Sequence, residues 1–374
     1  MIERRISVLL LKKLSDPKVI IILGPRQSGK TTLLDMLKPN LTKPIAIWNG
    51  DESDIRSKLE NPTSTLLKQL IGKNKTLIID EAQRIQNIGL CLKLITDNIK
   101  NVKVIATGSS AFELANKMKE PLTGRKWEYQ LLPLSFGEMV VHSSLLEEKR
   151  LIPHRLIYGY YPDVVNNPGS ESEIVKQLAD SYLYKDILVW DRIQKPDKME
   201  KLAQALAFQV GQLVSYNELG QMCGLNNETV EKYIGFLEKA FIIFRLPGFS
   251  RNPRNELRKS FKIYFYDNGL RNAIINHFNP INLRQDIGQL WENFFISERR
   301  KFIRNTALNP NCYFWRTLAQ QEVDYLEERN GQLSAFECKW SIKQKGKVSR
   351  AFLSAYPESI AHVVHPDNFE NYLL

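Results

Sequence analysis

The feature that most constrains this chain is Gly24-Pro-Arg-Gln-Ser-Gly-Lys30-Thr31. It lies between an apolar run, Lys18-Val-Ile-Ile-Ile-Leu23, and a segment of helical pattern over residues 31–37. The spacing is G-x-x-x-x-G-K-[ST], a phosphate-binding loop. Glycine lets the backbone turn tightly enough for successive N–H groups to converge on phosphate oxygens. A helix starting at Lys30 adds the positive end of its dipole. Gly24, Pro25, Arg26, Gln27, Ser28, Gly29, Lys30, Thr31 and Thr32 are therefore the expected nucleotide cradle. Within it, Lys30 is expected to reach the β- and γ-phosphates of ATP, and the Thr31 hydroxyl to ligate Mg²⁺. A loop of this kind needs a buried strand feeding straight into a helix.

Further strand-like runs occur at 44–48, 76–81, 102–106 and 127–132, with a helical stretch at 66–71. Strands alternating with helices predict a doubly wound parallel sheet, with its site beyond the strand C-termini. Polar residues fall at those ends. Leu77-Ile-Ile-Asp80-Glu81 follows the phosphate loop by about fifty residues, the Walker B arrangement of P-loop enzymes. Asp80 is expected to hold the Mg²⁺ water shell and Glu81 to orient the water that attacks the γ-phosphate. Thr107 or Ser109, in Thr107-Gly-Ser109-Ser110, is placed to sense that phosphate. Arg125 reads equally as a neutraliser of transition-state charge, in a neighbouring copy of a homo-oligomer, or as a surface salt bridge. Ahead of the sheet, Ile2, Ile6, Leu9, Leu10 and Lys13 fit one amphipathic helix packing on the same core.

A chain of 374 residues exceeds one ordinary core. Domain boundaries are expected at 1–139 for the P-loop domain, 140–210 for a helical segment, 211–276 for a winged helix and 277–374 for a small α/β domain. Tyr158, Tyr160, Tyr161, Tyr182, Tyr184 and Trp190 give the helical segment an aromatic character that suits either base stacking or, more ordinarily, a core. Residues 216–223, Gly224 and 227–240 read as helix–turn–helix, followed by strands at 241–246 and 261–266. The second helix offers Asn226, Asn227 and Lys232 but also Glu228, Glu231 and Glu238, which phosphate repels. The loop between the strands, with Arg251, Arg254, Arg258 and Lys259 against Glu256, is better suited to phosphate. A purely structural winged helix fits equally well.

The net charge of +11 points to an acidic partner such as DNA. It is uneven: +8 over residues 1–150, +2 over 151–276 and +1 over 277–374. Part of the first excess can serve nucleotide. Cys91, Cys223, Cys312 and Cys338 stand singly, which argues against a zinc site or disulfide framework and fits the reducing cytoplasm. No run of about 18 apolar residues exists, so no membrane span is expected.

Toward the C-terminus, Glu292 lies in an amphipathic segment, a strand is read at 312–316, and 322–326 with 333–339 read as a hairpin around Asn330-Gly331. Alternation puts Glu337 and Lys339 on one side of their strand. Asp324, Glu337 and a main-chain carbonyl are a candidate Mg²⁺ set, with Lys339 favouring a water nucleophile. The alternative is a degenerate fold keeping a buried polar network.

With these residues assembled, the chain resembles, nearly end to end, a prokaryotic family of AAA-like P-loop ATPases with an uncharacterised C-terminal region. The resemblance rests on Gly24 to Thr32, Ile79-Asp-Glu-Ala-Gln83, Thr107-Gly-Ser-Ser110, Leu122-Thr-Gly-Arg125 and Pro133-Leu-Ser-Phe136. Tyr161-Pro-Asp-Val-Val165, Tyr264-Phe-Tyr-Asp-Asn-Gly-Leu270 and Phe336-Glu-Cys-Lys339 extend it. The C-terminal part is similar to the PD-(D/E)xK nuclease superfamily, which implies Glu292, Asp324, Glu337 and Lys339 as its site. Two functions follow as expectations. One is an ATP-hydrolysing protein that engages DNA, coupled or not to nuclease action. The other is a nucleotide-gated scaffold for protein partners with an inactive nuclease-like domain.

Overall fold

Five short apolar runs become five parallel strands, because each is flanked by helix or turn and too short to double back. The computed structural model describes residues 1–109, 122–181, 195–250, 261–341 and 346–374. They divide into two compact units: Arg4–Pro133 with Lys239–Phe241, and Met1–Glu3 with Leu134–Glu238 and Ile242–Leu374.

In the first unit, β1 (Val19–Leu23), β2 (Ile45–Asn49), β3 (Thr76–Asp80), β4 (Lys103–Gly108) and β5 (Lys126–Gln130) form one sheet in the order β2-β3-β4-β1-β5. Every pairing is parallel. β1 is central and wholly buried, as a run of Val, Ile and Leu requires. Leu23 pairs with Gly108 and Asn49 with Asp80, so the polar strand ends line up along one edge. Two helices, α1 (Ile6–Leu11) and α2 (Lys30–Leu37), pack Ile6, Leu10, Leu33, Leu34 and Leu37 against Ile20, Ile22, Ile78 and Ile105. α1 is shorter than its apolar spacing predicts: Ile2 precedes it and Lys13 follows it. The cause is Arg4, whose buried guanidinium fixes the chain ahead of the helix through Ser28 O and Leu132 O.

The second unit opens with helices α3 (Phe136–His142), α4 (Leu145–Arg150), α5 (Ile152–Tyr158) and α6 (Glu171–Asp180). Ser135 and Glu138 close a capping box at the first of them. Tyr160 and Tyr161 are buried, and Tyr158 stacks on Phe278, so these rings serve the interior rather than bases. Tyr182, Tyr184 and Trp190 lie outside the described residues, as does Ser110 of the first unit. α7 (Pro196–Phe208) leads to α8 (Tyr216–Cys223), a left-handed Gly224 and α9 (Asn227–Lys239). An antiparallel pair follows, β6 (Ile243–Pro247) and β7 (Phe261–Phe265). Arg251, Arg254, Glu256, Arg258 and Lys259, which join them, are outside the described residues.

The Tyr264–Leu270 signature has a structural use. Asp267 caps α10 (Asn268–Ile274) through Leu270 N–H and also accepts Tyr160 N–H at 2.7 Å. α11 (Ile287–Asn305) then precedes a second sheet of order β11-β10-β9-β8. It contains β8 (Asn311–Arg316), β9 (Glu322–Arg329), β10 (Gln332–Cys338) and β11 (Ile360–Val364). Asn330 and Gly331, at φ 52° and 81°, make the tight turn between β9 and β10, whose two positive φ angles favour this dipeptide. Among the described residues no helix is long and apolar enough to cross a membrane.

Candidate functional site

The phosphate loop leaves β1 where two backbones nearly touch. A Cβ on Gly24 would lie 2.1 Å from Leu131 O, so only glycine fits there. Gly24 N–H is bonded to Gly108 O, tying the loop to the end of β4. Gln27 and Gly29 take positive φ, 54° and 91°, which turns the chain into α2 at Lys30. Lys30 is buried and folds back, its Nζ donating to Gly24 O at 3.0 Å and Pro25 O at 2.8 Å. Ser28 is fully buried and its Oγ has no hydrogen-bond partner, a polar atom facing the loop interior without satisfaction. Thr31, Thr32 and Gln27 are exposed and Arg26 is half-buried.

Three strand ends meet this loop. Thr31 Oγ1 donates to Asp80 Oδ2 at 3.1 Å. The other Asp80 oxygen takes the Thr107 hydroxyl and, at 3.1 Å, Glu81 N–H. Glu81 sits in the left-handed region, φ 48° and ψ 41°, at a conformational cost of about 1–3 kcal/mol that tends to concentrate at working sites. Gly50 makes that placement possible, since a Cβ there would lie 2.3 Å from Glu81 O. The Glu81 carboxylate is held by Gln83 Nε2, which also donates to Ser109 Oγ at 2.8 Å. Thr31, Asp80, Glu81, Thr107 and Ser109 thus form one connected network beside Lys30. The donor set and the orphaned Ser28 hydroxyl fit a nucleotide phosphate with its divalent ion.

Arg125 does not join this network. It lies at the start of β5, whose Lys126 pairs with Val19 at the beginning of β1, the opposite edge of the sheet. There its Nε donates to Asp97 Oδ1 at 2.7 Å, the surface salt bridge of the two sequence readings. Arg4 and Gln83 were not foreseen. Arg4 carries no local sequence signal, because it acts on Leu132 across 128 residues; Gln83 ends the Ile79-Asp-Glu-Ala-Gln83 motif, which pointed to the family without naming its contact with Glu81.

The second group of expected residues gathers between α11, β7, β9 and β10. Glu292 Oε1 accepts Tyr264 OH at 2.6 Å and Lys262 Nζ at 3.3 Å. Lys262 also binds Glu322. Asp324 Oδ2 accepts Cys338 N–H at 2.8 Å, and Lys339 Nζ donates to Glu337 Oε1 at 2.7 Å, so those two do share a side of the strand. Gly211, at φ 75°, leaves room for Glu292, since a Cβ would lie 3.2 Å from its Oε1. Burial pushes the Glu292 carboxyl up to about 7 against the pull of Lys262. Glu337 is likewise pushed up to about 7 by burial, with Asp324 adding to the effect. For Lys262, burial opposes the charge, but Glu292, Asp324 and Glu322 outweigh it and hold the ammonium above its usual range.

A divalent ion needs several free oxygen lone pairs directed at one point. One oxygen each of Glu292, Asp324 and Glu337 is taken up, by Lys262 with Tyr264, by Cys338 N–H and by Lys339, while Glu337 Oε2 is buried with no hydrogen-bond partner. Among the described residues no three His, Cys, Asp or Glu side chains are placed to hold a metal. Beside Lys339, the cluster holds a second cation, Lys262, a lone charge in the otherwise apolar Phe261-Lys-Ile-Tyr-Phe-Tyr266. Its alternation position was the available signal.

Comparison with known proteins agrees with the first site and leaves the second open. Residues 16–140 match an AAA domain family, 149–280 a domain of unknown function (DUF8612) and 287–372 another (DUF4143). An uncharacterized protein of Mycobacterium tuberculosis is 26% identical over 95% of this chain and 77% of its own length. An uncharacterized protein of Methanocaldococcus jannaschii is 25% identical over 84% of this chain and 73% of its own. Among solved structures, a Walker-type ATPase of Pyrococcus abyssi superposes with a TM-score of 0.50 at 16% identity, over 74% of this chain and 96% of that one. The parallel α/β unit of this chain has the fold of a P-loop ATPase and matches an AAA domain family, and the C-terminal regions match families of unknown function.

Proposed function

We propose that the protein is a Mg²⁺-dependent ATPase that engages DNA through residues 134–374. The observation that carries the hydrolytic reading is the convergence of Thr31, Asp80 and a left-handed Glu81 beside the buried Lys30. In this reading Thr31 and Asp80 hold the ion, which when bound offsets charge on the phosphates. Lys30 leaves the Gly24 and Pro25 carbonyls for the β- and γ-phosphates. Glu81, released by Gln83, orients the attacking water. Arg125 lies at the far edge from its own loop, so a role in hydrolysis would require a second copy of the chain.

DNA engagement by residues 134–374 is supported by the order α8–Gly224–α9–β6–β7, the element order of a winged helix. Asn226 Oδ1 is occupied as a helix cap by Thr229 N–H, which weighs against base reading by α9 and toward phosphate contact.

One observation favours the scaffold alternative over cleavage in the C-terminal region: Lys262 already pairs with Glu292, one of the four residues the nuclease resemblance implies, and with Glu322 beside it.

Two measurements test the proposal. Lys30→Ala should abolish Mg²⁺-dependent ATP hydrolysis, and Glu81→Gln should bind nucleotide while turnover falls steeply; wild-type turnover in both variants refutes the site. Plasmid DNA incubated with ATP and Mg²⁺ or Mn²⁺ should be bound at low salt but not cut. Cutting that disappears in both Asp324→Ala and Lys339→Ala would establish the nuclease instead, and absence of DNA binding would leave only the protein scaffold.

A further inference from the structure

Because all five strands of the first sheet run the same way, every strand start lies on the edge opposite the phosphate loop. That edge is basic. Lys13 and Lys18 precede β1, Lys43 precedes β2, Lys75 precedes β3 and Lys100 precedes β4. None of the five makes a salt bridge among the described residues, and Lys43, Lys75 and Lys100 are exposed. The neighbouring Arg125 and Lys126 are answered by Asp97 and Glu128. Asp16, the remaining carboxylate of the edge, gives its Oδ1 to Lys18 N–H at 2.9 Å. Much of the +8 carried by residues 1–150 therefore stands where it cannot serve the nucleotide.

The lysines are held rather than scattered. Lys103 Nζ donates to Lys13 O, Asp16 O and Lys18 O at 2.7–2.8 Å, which pins the segment between α1 and β1. Lys13 and Lys18 both lie over the Trp127 ring, their Nζ atoms 4.0 and 4.6 Å from its centroid. A cleft of about 490 Å³ opens on the same edge, lined among others by Thr42, Lys75, Thr96, Lys100 and Lys103. Like charges fixed along one edge repel, and a polyanion relieves that cost.

The length of the edge suits a phosphodiester backbone. Neighbouring strands lie about 4.8 Å apart, so the three steps from β2 to β1 span about 14 Å. One strand of duplex DNA presents a phosphate about every 3.4 Å of helix axis, about four over that distance. Lysine is a mobile point charge on a flexible stem, suited to phosphate contact more than to forked recognition of a base edge. We propose that this strand-start edge docks the phosphodiester backbone of DNA without reading its sequence. The surface belongs to the P-loop unit and is separate from the DNA-engaging role proposed above for residues 134–374.

The test uses the full chain and a short fluorescein-labelled DNA duplex, with binding followed by anisotropy over a range of salt. Changing Lys18, Lys43, Lys75 and Lys100 together to Gln should weaken binding at least tenfold. The slope of log affinity against log salt should fall by about 0.9 for each phosphate that the variant leaves unneutralised. Affinity for a fluorescent ATP analogue and the thermal melting curve should stay at wild-type values, which separates this outcome from failure of the nucleotide site. Wild-type DNA affinity and slope in the quadruple variant would overturn the proposal. So would equal binding of an acidic polypeptide or anionic vesicles that loses its strength in the same variant.

Discussion

Replacing Lys262 by Met tests how far one buried ammonium stabilises the C-terminal carboxylate cluster. Methionine nearly matches the lysine stem in volume, so little cavity is opened, and the change is mainly the loss of one ammonium. Lys262 is 1% exposed and serves both Glu292, at 3.3 Å, and Glu322. Removing one partner from a buried ion pair costs about 3–5 kcal/mol when the remaining charge stays uncompensated, and Glu292, which burial already pushes up to about 7, takes up a proton and brings the cost toward the lower end. Two carboxylates share this lysine, but Glu322 also retains Arg316 at 3.2 Å, so the loss should fall within that range rather than double it. The assay is urea unfolding at neutral pH, followed by the fluorescence of Trp291, which is buried in α11 next to Glu292. A second variant closes the cycle. Adding Glu292→Gln removes the orphaned charge while keeping an acceptor for Tyr264 OH, and should restore about 1–2 kcal/mol, within the coupling expected of neighbours. A single variant within about 0.5 kcal/mol of wild type, or a double variant less stable than the single, would refute the reasoning.

Other consequences can be checked directly. Arg4→Met strips charged donors from Ser28 O and Leu132 O, each at 2.6 Å, and should cost about 2–4 kcal/mol in urea melts while weakening binding of a fluorescent nucleotide. Gly50→Ala drives a Cβ into Glu81 O; ATP turnover should fall about 10²-fold with nucleotide affinity retained, as a misplaced catalytic group predicts. Burial would raise the Asp286 carboxyl, but Arg284 and Arg271 outweigh it and hold it down to about 2. Its contribution to stability is therefore complete above its usual value of 3.8 and lost as pH falls toward 2. Asp286→Asn should flatten that part of the acid-unfolding curve, measured as urea midpoints against pH.

What could be read from the sequence was what short range determines. The phosphate loop, the Asp80-Glu81 strand end and the Asn330-Gly331 turn are each specified by residues within a few positions of one another, and the structure places them as that local chemistry demands. The alternation that put Glu337 beside Lys339 is local too. Partnerships across the chain were not legible. Arg4 with Leu132, Lys262 with Glu292 and Asp267 with Tyr160 N–H join residues 30 to 128 positions apart, and each charged side chain had several sequence-compatible destinations. The pairing of Lys262 with Glu292 joins a lysine in an apolar strand to a helix 30 residues on, which no local pattern announces. The aromatic segment failed differently: ring content is blind to burial, and Tyr160 and Tyr161 are interior.

Strand β4 carries Lys103 at one end and Thr107 at the other, four residues later on the same face. The first anchors the segment that bears Lys13 and Lys18; the second holds Asp80. β4 lies between β3 and β1 and so joins the nucleotide network to the strand-start edge directly. On the proposal that this edge docks DNA, whatever factor ATP applies to DNA affinity, DNA must apply to ATP affinity. The two ligands would then meet opposite ends of one strand without touching.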